Sequence, residues 1–344
     1  MVLGTDTLAP EAAAWHLVTA SWITHALRAA AVLGIPDLLA EGPRSVGDLA
    51  TATETDAPAL ARLLHALDAL GVCTETDQGT IQLTPVGTFL RADVVGSAQP
   101  FALGIMAPFI EQAWHALPQA VRTGHAVFPQ VHGQPFWDYL STHPEDGARF
   151  DASMNRGTAL SQLLLTTCDL SRLGTLVDVG GGQGRLLAAA LTTHPHLRGI
   201  LVDRPGVLPG AEPVLAAAGV RERCDLVACD IREAVPAGGD AYVLASIIHD
   251  WPDEPALAIL RACHRAMAPG ATIWLLENVL APGATDAWTH LLDLLMLTLF
   301  GARERTAEEH AALLTASGFT DVVVLPGAPP WSIVEAVRAE ERRP

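Results

Sequence analysis

The stretch Ile247-Ile248-His249-Asp250-Trp251-Pro252-Asp253-Glu254 sets a histidine directly after an apolar run. Taken alone, such a histidine only opens a loop, since imidazole fills many structural roles. Four other apolar runs deliver polar groups in the same manner. "TLVDVG" carries Asp178 and leads into glycines 180, 181, 182 and 184; "GILVD" ends on Asp203, with Arg204 next. "CDLVACD" ends on Asp230, with Ile231 beyond it, and "ATIWLLENV" carries Glu277. The fourth run, Ala241 to Ile248, is expected to be one buried strand with His249 at its carboxyl end. Ligands of open α/β sheets bind at the carboxyl ends of the strands. Five consecutive strands that each bring a carboxylate or histidine to one edge suit a cofactor with a ribose and a base, beside an acid–base centre.

The loop chemistry narrows the cofactor. The chain has no lysine, so a phosphate-binding GxxxxGK[ST] loop is excluded, as is Schiff-base chemistry. A dinucleotide fingerprint would need a third glycine where Arg185 stands. Asp178 before the loop would repel a pyrophosphate and suits an amine or a sulfonium cation. S-adenosylmethionine carries both and no phosphate. Gly180 and Gly182 then let the backbone approach it. Asp203, about 20 residues past the loop, can accept both ribose hydroxyls. Asp230 receives the adenine amine and Ile231 covers its face.

These strands need a scaffold. From about residue 174, short β-type runs alternate with helical segments, the pattern of a mostly parallel sheet with helices on both faces. "TDVVVLPG" and "WSIVEAVRA" are expected to form a hairpin at one edge. A helix opens near Gly184 with Leu186, Leu187, Ala190 and Leu191 on one face. Residues 11 to 170 have helical spacing instead. One helix is predicted over 17–40. A short helix follows, capped by Ser45, then a third over "APALARLLHALDALG" with Pro58 in its first turn. "VCTETDQGTIQLT" gives strand, turn, strand, which completes a winged-helix pattern.

Charge tests whether that winged helix binds DNA. Residues 41–95 carry arginines only at 44, 62 and 91, against acids at 41, 48, 54, 56, 68, 75, 77 and 93. The third helix has little with which to hold phosphates, so packing on a protein, a dimer partner, is favoured. The net charge of −17 excludes a general nucleic-acid binder and an anionic membrane surface. Five cysteines without a CxxC pair point away from disulfides and structural zinc. No uncharged apolar run reaches about 18 residues, and the amino terminus lacks a signal-like segment. A cytoplasmic protein without a metal is expected.

"LVDVGGGQG", "VDRPGV", "CDIRE", "SIIHDWPDE", "WLLENVL" and "LLDLLML…GARERT" stand in the order seen in S-adenosylmethionine-dependent O-methyltransferases. The chain resembles the family of plant caffeate/flavonoid and bacterial antibiotic-tailoring enzymes over nearly its whole length. That resemblance implies a Rossmann-like class I methyltransferase sheet with an N-terminal winged-helix dimerisation domain. It sets that domain at 1–100, a helical connecting region at 101–170 and the catalytic domain at 171–344, with a homodimer as the assembly. It implies methyl transfer to a phenolic hydroxyl of an aromatic secondary metabolite, with S-adenosylhomocysteine as product. His249 would be the general base, oriented by Glu277 and Glu304; an ion pair with Arg303 or Arg305 is the rival role for Glu304. Asp250 is expected to point away from the base, and Trp251 to pack. Thr158 and Ser246 would touch the cofactor, Ser246 because Ala245 stands where relatives place a polar contact. Phe150, Met154, Asp293, Met296 and Phe300 would line the substrate site. Phe300 replaces the asparagine of plant enzymes, which favours an apolar aromatic substrate. Other relatives of this fold methylate nitrogen or carbon, and a winged-helix regulator sensing a metabolite is the non-enzymatic alternative.

Overall fold

The computed structural model describes residues 8–154, 157–281, 283, 286–325, 327 and 330–339, and all but the side chains of 157 and 158 among them. The described chain divides into two compact units, Met1–Glu111 with Glu145–Met154 and Gln112–Pro144 with Asn155–Pro344. The helical stretch 101–170 is therefore shared between them.

In the first unit the third predicted helix forms at Ala57–Ala69. Asp56 accepts from the Ala59 amide to cap it, and Leu60, Leu64 and Leu67 turn one stripe inward. Ser45 caps Val46–Ala52 through the Asp48 amide. Strands β1 (Cys73–Glu75) and β2 (Ile81–Leu83) pair antiparallel. The single helix expected over 17–40 is instead three α-helical pieces followed by a 3-10 turn over Leu39–Glu41. Helix Pro10–Val18 ends at Thr19, Ala20–Val32 follows, and Ile35–Leu38 comes after Gly34. Gly34 takes φ +65°, a left-handed turn that ends a helix, and Pro36 supplies no amide for continuing it.

The second unit is built on an eight-stranded sheet. Its strands are β3 (Thr175–Val179), β4 (Arg198–Asp203), β5 (Cys224–Ala228), β6 (Ala241–Ala245), β7 (Thr272–Leu280), β8 (Arg305–Thr306), β9 (Phe319–Leu325) and β10 (Trp331–Arg338). The order is β5-β4-β3-β6-β7-β10-β9, and β8 pairs with the far end of β7. β3 to β8 run parallel, while β9 and β10 form the antiparallel edge hairpin. Alternation sends Leu176, Leu201, Val243 and Leu276 into one apolar layer and Val177, Val202, Leu244 and Leu275 into the other. The first layer meets helix Arg185–Thr193, whose Leu186, Leu187, Ala190 and Leu191 are buried as expected. The second meets helix Asp253–Ala266. Chain direction across the sheet reverses between β3 and β6, which is where such sheets open a crevice.

Two strand boundaries differ from expectation. β6 stops at Ala245 and does not run to Ile248, because Ser246 adopts φ +56°. The chain then makes a 3-10 turn over Ile248–Asp250. β7 does not end at Glu277; it continues to Leu280, held by β10 through Asn278 and by β8 at Val279 and Leu280. Among the described residues no single helix is long and apolar enough to cross a membrane.

Candidate active site

The loop after β3 crosses the crevice on glycine geometry. Gly180, Gly182 and Gly184 all have positive φ, while Gly181 lies so close to the sheet that a Cβ would stand 2.4 Å from the Asp178 carboxyl and 2.5 Å from Leu201. Asp178 itself is buried, and neither of its oxygens has a hydrogen-bond partner. Burial, with Asp203 nearby, pushes its carboxyl up to about 7. A buried carboxylate left without a donor is costly, so this one fits a cationic or amine-bearing ligand. Asp203 accepts from the Gly182 amide at 2.8 Å and the Arg204 amide at 2.7 Å, one on each oxygen. Lone pairs remain on both for ribose hydroxyls.

Asp230 is paired in this structure. Arg232 grips its carboxylate through Nε and Nη2, at 2.9 and 2.5 Å. The adenine-amine role therefore meets a carboxylate already engaged by a neighbour two residues away. Ile231 is half-buried against the second apolar layer. Ser246 holds its left-handed turn through its amide, which donates to the Leu276 carbonyl. The side chain of Thr158 lies outside the described residues. Phe150, buried, and Met154, 41 % exposed, belong to the first unit.

The acid–base centre forms beyond β6. His249 Nδ1 and Glu304 Oε1 are 2.8 Å apart, and both side chains are buried. The rival ion pairs go elsewhere: Arg303 pairs with Asp253 and Glu309, and Arg305 with Asp253. Glu277 Oε2 lies 3.9 Å from Nδ1, but its Oε1 accepts from the amides of Ile247 and Ile248 at 3.1 and 2.8 Å. It grips the turn more closely than the ring. Asp250 does not point away; its Oδ1 is 3.5 Å from His249 Nε2. The tight 3-10 turn folds the next side chain back over the imidazole. Burial alone would lower the His249 pKa, yet the charges of Glu304, Asp250 and Glu277 raise it to about 10. Burial carries Asp250 and Glu277 up to about 7.

His249, Glu277 and Glu304 offer ligand atoms within 4.8 Å of one another, close enough for a cation. The short Nδ1–Glu304 contact is instead the geometry of a carboxylate orienting an imidazole. Asp293, on helix Ala287–Phe300, accepts from the Glu304 amide at 2.8 Å and so anchors the backbone of that residue. Met296 is buried in the same helix. Phe300 stacks on Trp137 at 5.3 Å and meets Phe136 edge-on at 5.0 Å.

Trp137 is a residue that spacing alone does not single out. It also stacks on Trp251 at 6.2 Å, under the guanidinium of Arg204 at 4.9 Å. Arg232 lies over the Trp251 ring at 5.1 Å. The aromatic-rich run "PFWDYL" is the sequence signal for its place beside Trp251 and Phe300.

A switch-point crevice, a glycine loop over an unpartnered acid and a second acid one strand away define a class I methyltransferase, and S-adenosylmethionine is its cofactor. Comparison with known proteins narrows the class. An O-methyltransferase domain matches residues 114–320 and an O-methyltransferase dimerisation domain matches residues 15–93. Phenazine O-methyltransferase of Lysobacter antibioticus is 39% identical over 322 residues, covering 93% of this chain and 94% of the relative. A Streptomyces davaonensis 8-amino-8-demethylriboflavin N,N-dimethyltransferase is 35% identical over 318 residues, 91% of each chain. The solved mitomycin 7-O-methyltransferase superposes with a TM-score of 0.89 at 34% identity, covering 96% of this chain and 98% of that one. The chain belongs to the O-methyltransferase family and is an S-adenosylmethionine-dependent enzyme with an N-terminal dimerisation domain.

Proposed function

We propose that the enzyme methylates a phenolic hydroxyl of an aromatic secondary metabolite, with His249 as general base. The observation that carries this reading is the buried 2.8 Å contact between His249 Nδ1 and Glu304. With Nδ1 so engaged, Nε2, which lies 3.5 Å from Asp250 Oδ1, is the nitrogen that takes the substrate proton when the ring is neutral, and Glu304 stabilises the imidazolium that results. S-adenosylmethionine supplies the electrophilic methyl when bound; Asp178 would hold its amine and Asp203 its ribose.

The raised basicity of His249 favours a phenol. An ordinary imidazole near 6.5 would accept a proton from a phenol near 10 at a cost of about 5 kcal/mol, at 1.36 kcal/mol per pKa unit. The carboxylates of Glu304, Asp250 and Glu277 raise the basicity of His249 above that of an ordinary imidazole and so lower that cost. The aromatic wall of Trp137, Trp251 and Phe300 matches a planar substrate. The phenazine in one relative's name agrees with an aromatic substrate.

His249→Gln should lose turnover while binding of S-adenosylhomocysteine persists; turnover equal to wild type would remove His249 from the role of base. The N,N-dimethyltransferase among the relatives supports a second reading, methylation of an aromatic amine. Tandem mass spectrometry of the product, placing the new methyl on oxygen or nitrogen, decides between them. We further propose a cytoplasmic homodimer that pairs through the dimerisation domain, measurable by light scattering.

A further inference from the structure

Arg305 is fully buried, an uncommon place for a guanidinium. Its bonds all go to the segment that carries His249. Nη1 donates to the Ile248 carbonyl at 2.8 Å, and Nη2 donates to the Trp251 carbonyl at 2.8 Å. The outer edge meets Asp253 Oδ1 through Nη2 at 2.8 Å and Nε at 3.2 Å. Arg305 thus ties the carbonyls on either side of the turn, while Glu277 takes two of its amides.

The neighbours of Arg305 in sequence sharpen this. Glu304 is the residue before it and holds the His249 ring. Arg305 and Thr306 form β8, registered on Val279 and Leu280 of β7, two residues beyond Glu277. Thr306 then caps helix Ala307–Ala316 in a reciprocal box with Glu309, which fixes where β8 ends. Two adjacent residues, Glu304 just before the anchored strand and Arg305 within it, therefore hold the ring and the backbone of the same histidine. Only a planar fork can reach two carbonyls and a carboxylate at once; a lysine ammonium is a point donor on a flexible stem.

We propose that Arg305 is a positioning residue for the methyl-transfer reaction: it locks the 248–251 turn so that the His249 ring stays in register with Glu304. This rests on the assignment of His249 as base. The groups that face His249 are Asp250 on its own turn, Glu277 on β7, Glu304 beside β8, and Arg305 and His310 from the following strand and helix. His310 is buried and held neutral, its pKa lowered to about 3 by burial and then by Arg305 and His249, so it adds no charge near neutral pH.

The test compares Arg305→Lys, Asp253→Asn, Arg303→Ala and Glu304→Gln by kcat, KM and pH–rate profile, with His249→Gln as reference. Arg305→Lys is expected to lose kcat tenfold or more, with KM for both substrates within twofold. Its acid limb should move to lower pH, in the direction of Glu304→Gln, because a loosened ring feels its carboxylate less. Asp253→Asn, altered at a half-exposed outer partner, should show the same signs at smaller size, and it decides the question if Arg305→Lys does not fold. Arg303, which makes no bond to the turn and is 49 % exposed, should tolerate alanine with unchanged turnover. A kcat within twofold of wild type in Arg305→Lys overturns the proposal. So does a loss of kcat with an unmoved acid limb, since that marks a purely structural arginine. Full turnover in His249→Gln would overturn the base assignment itself, a result distinct from any behaviour of the Arg305 variant.

Discussion

Glu304→Gln is the most discriminating change at this site. Glutamine keeps the volume and an acceptor 2.8 Å from His249 Nδ1, but removes the charge. In the native site burial lowers the His249 pKa, and the carboxylates of Glu304, Asp250 and Glu277, in that order, raise it to about 10. An opposite charge at this range shifts a pKa by about 1–3 units. The variant's imidazole should therefore titrate about 1–3 units lower, and the acid limb of kcat/KM should move by the same amount. The base works unprotonated, so a lower pKa exposes more of it near neutral pH. The same shift weakens it as an acceptor, by about 1.36 kcal/mol for each unit lost. A ring without its orienting charge also loses part of the 10²–10⁴-fold that positioned general bases contribute.

The two effects pull apart along the pH axis. Near pH 7 the gain in free base offsets much of the loss, and the variant's deficit should be small. Toward pH 10 the native enzyme reaches its plateau, and the deficit should grow to about 10²-fold. Steady-state rates from pH 6 to 10.5, with both substrates saturating and then limiting, give the two curves. A uniform loss at every pH would mean that Glu304 only packs. An acid limb displaced to higher pH would mean that the carboxylates are not the source of the basicity, and the reasoning from charge would fall.

The same geometry implies further outcomes. Asp178 has a folded pKa of about 7, above its ordinary 3.8, so the folded state holds more protons than the unfolded one between those values. Ligand-free stability should fall as pH rises through that window. S-adenosylhomocysteine, whose ammonium can meet the ionised carboxylate, should then raise the Tm more at pH 8 than at pH 5; Asp178→Asn should remove the difference. Gly181→Ala must push its Cβ against the Asp178 carboxyl and Leu201. Thermal melts should show a loss of about 1–3 kcal/mol, and calorimetry a weakened cofactor site. Phe300→Ala removes one ring stacked on Trp137 and should raise the substrate KM with a smaller effect on kcat, the signature of uniform binding. Dialysis against EDTA should leave turnover unchanged, because the 2.8 Å contact with Glu304 engages the Nδ1 that a cation at this cluster would need.

Periodicity and composition made the scaffold legible: the parallel strands, the edge hairpin and the capped helix Ala57–Ala69 lie where spacing puts them. What escaped depends on contacts between residues distant in sequence or on backbone angles. An apolar run cannot reveal that β6 stops at Ala245, because the stop is one left-handed residue, Ser246, held by a bond to Leu276. Nor can spacing show Asp250 beside Nε2, since a strand would have sent it to the opposite face, whereas a 3-10 turn brings it back. Arg305 looked like a rival partner for Glu304 because adjacent opposite charges invite pairing. Burial settles the contest differently. A guanidinium with no access to water must satisfy its whole fork, and the Ile248 and Trp251 carbonyls at the 3-10 turn, with Asp253, offer more acceptors than one glutamate. Glu304 is thereby left free for the imidazole. In this site the arginine's hunger for backbone acceptors and the histidine's charge partner are two consequences of a single irregular turn.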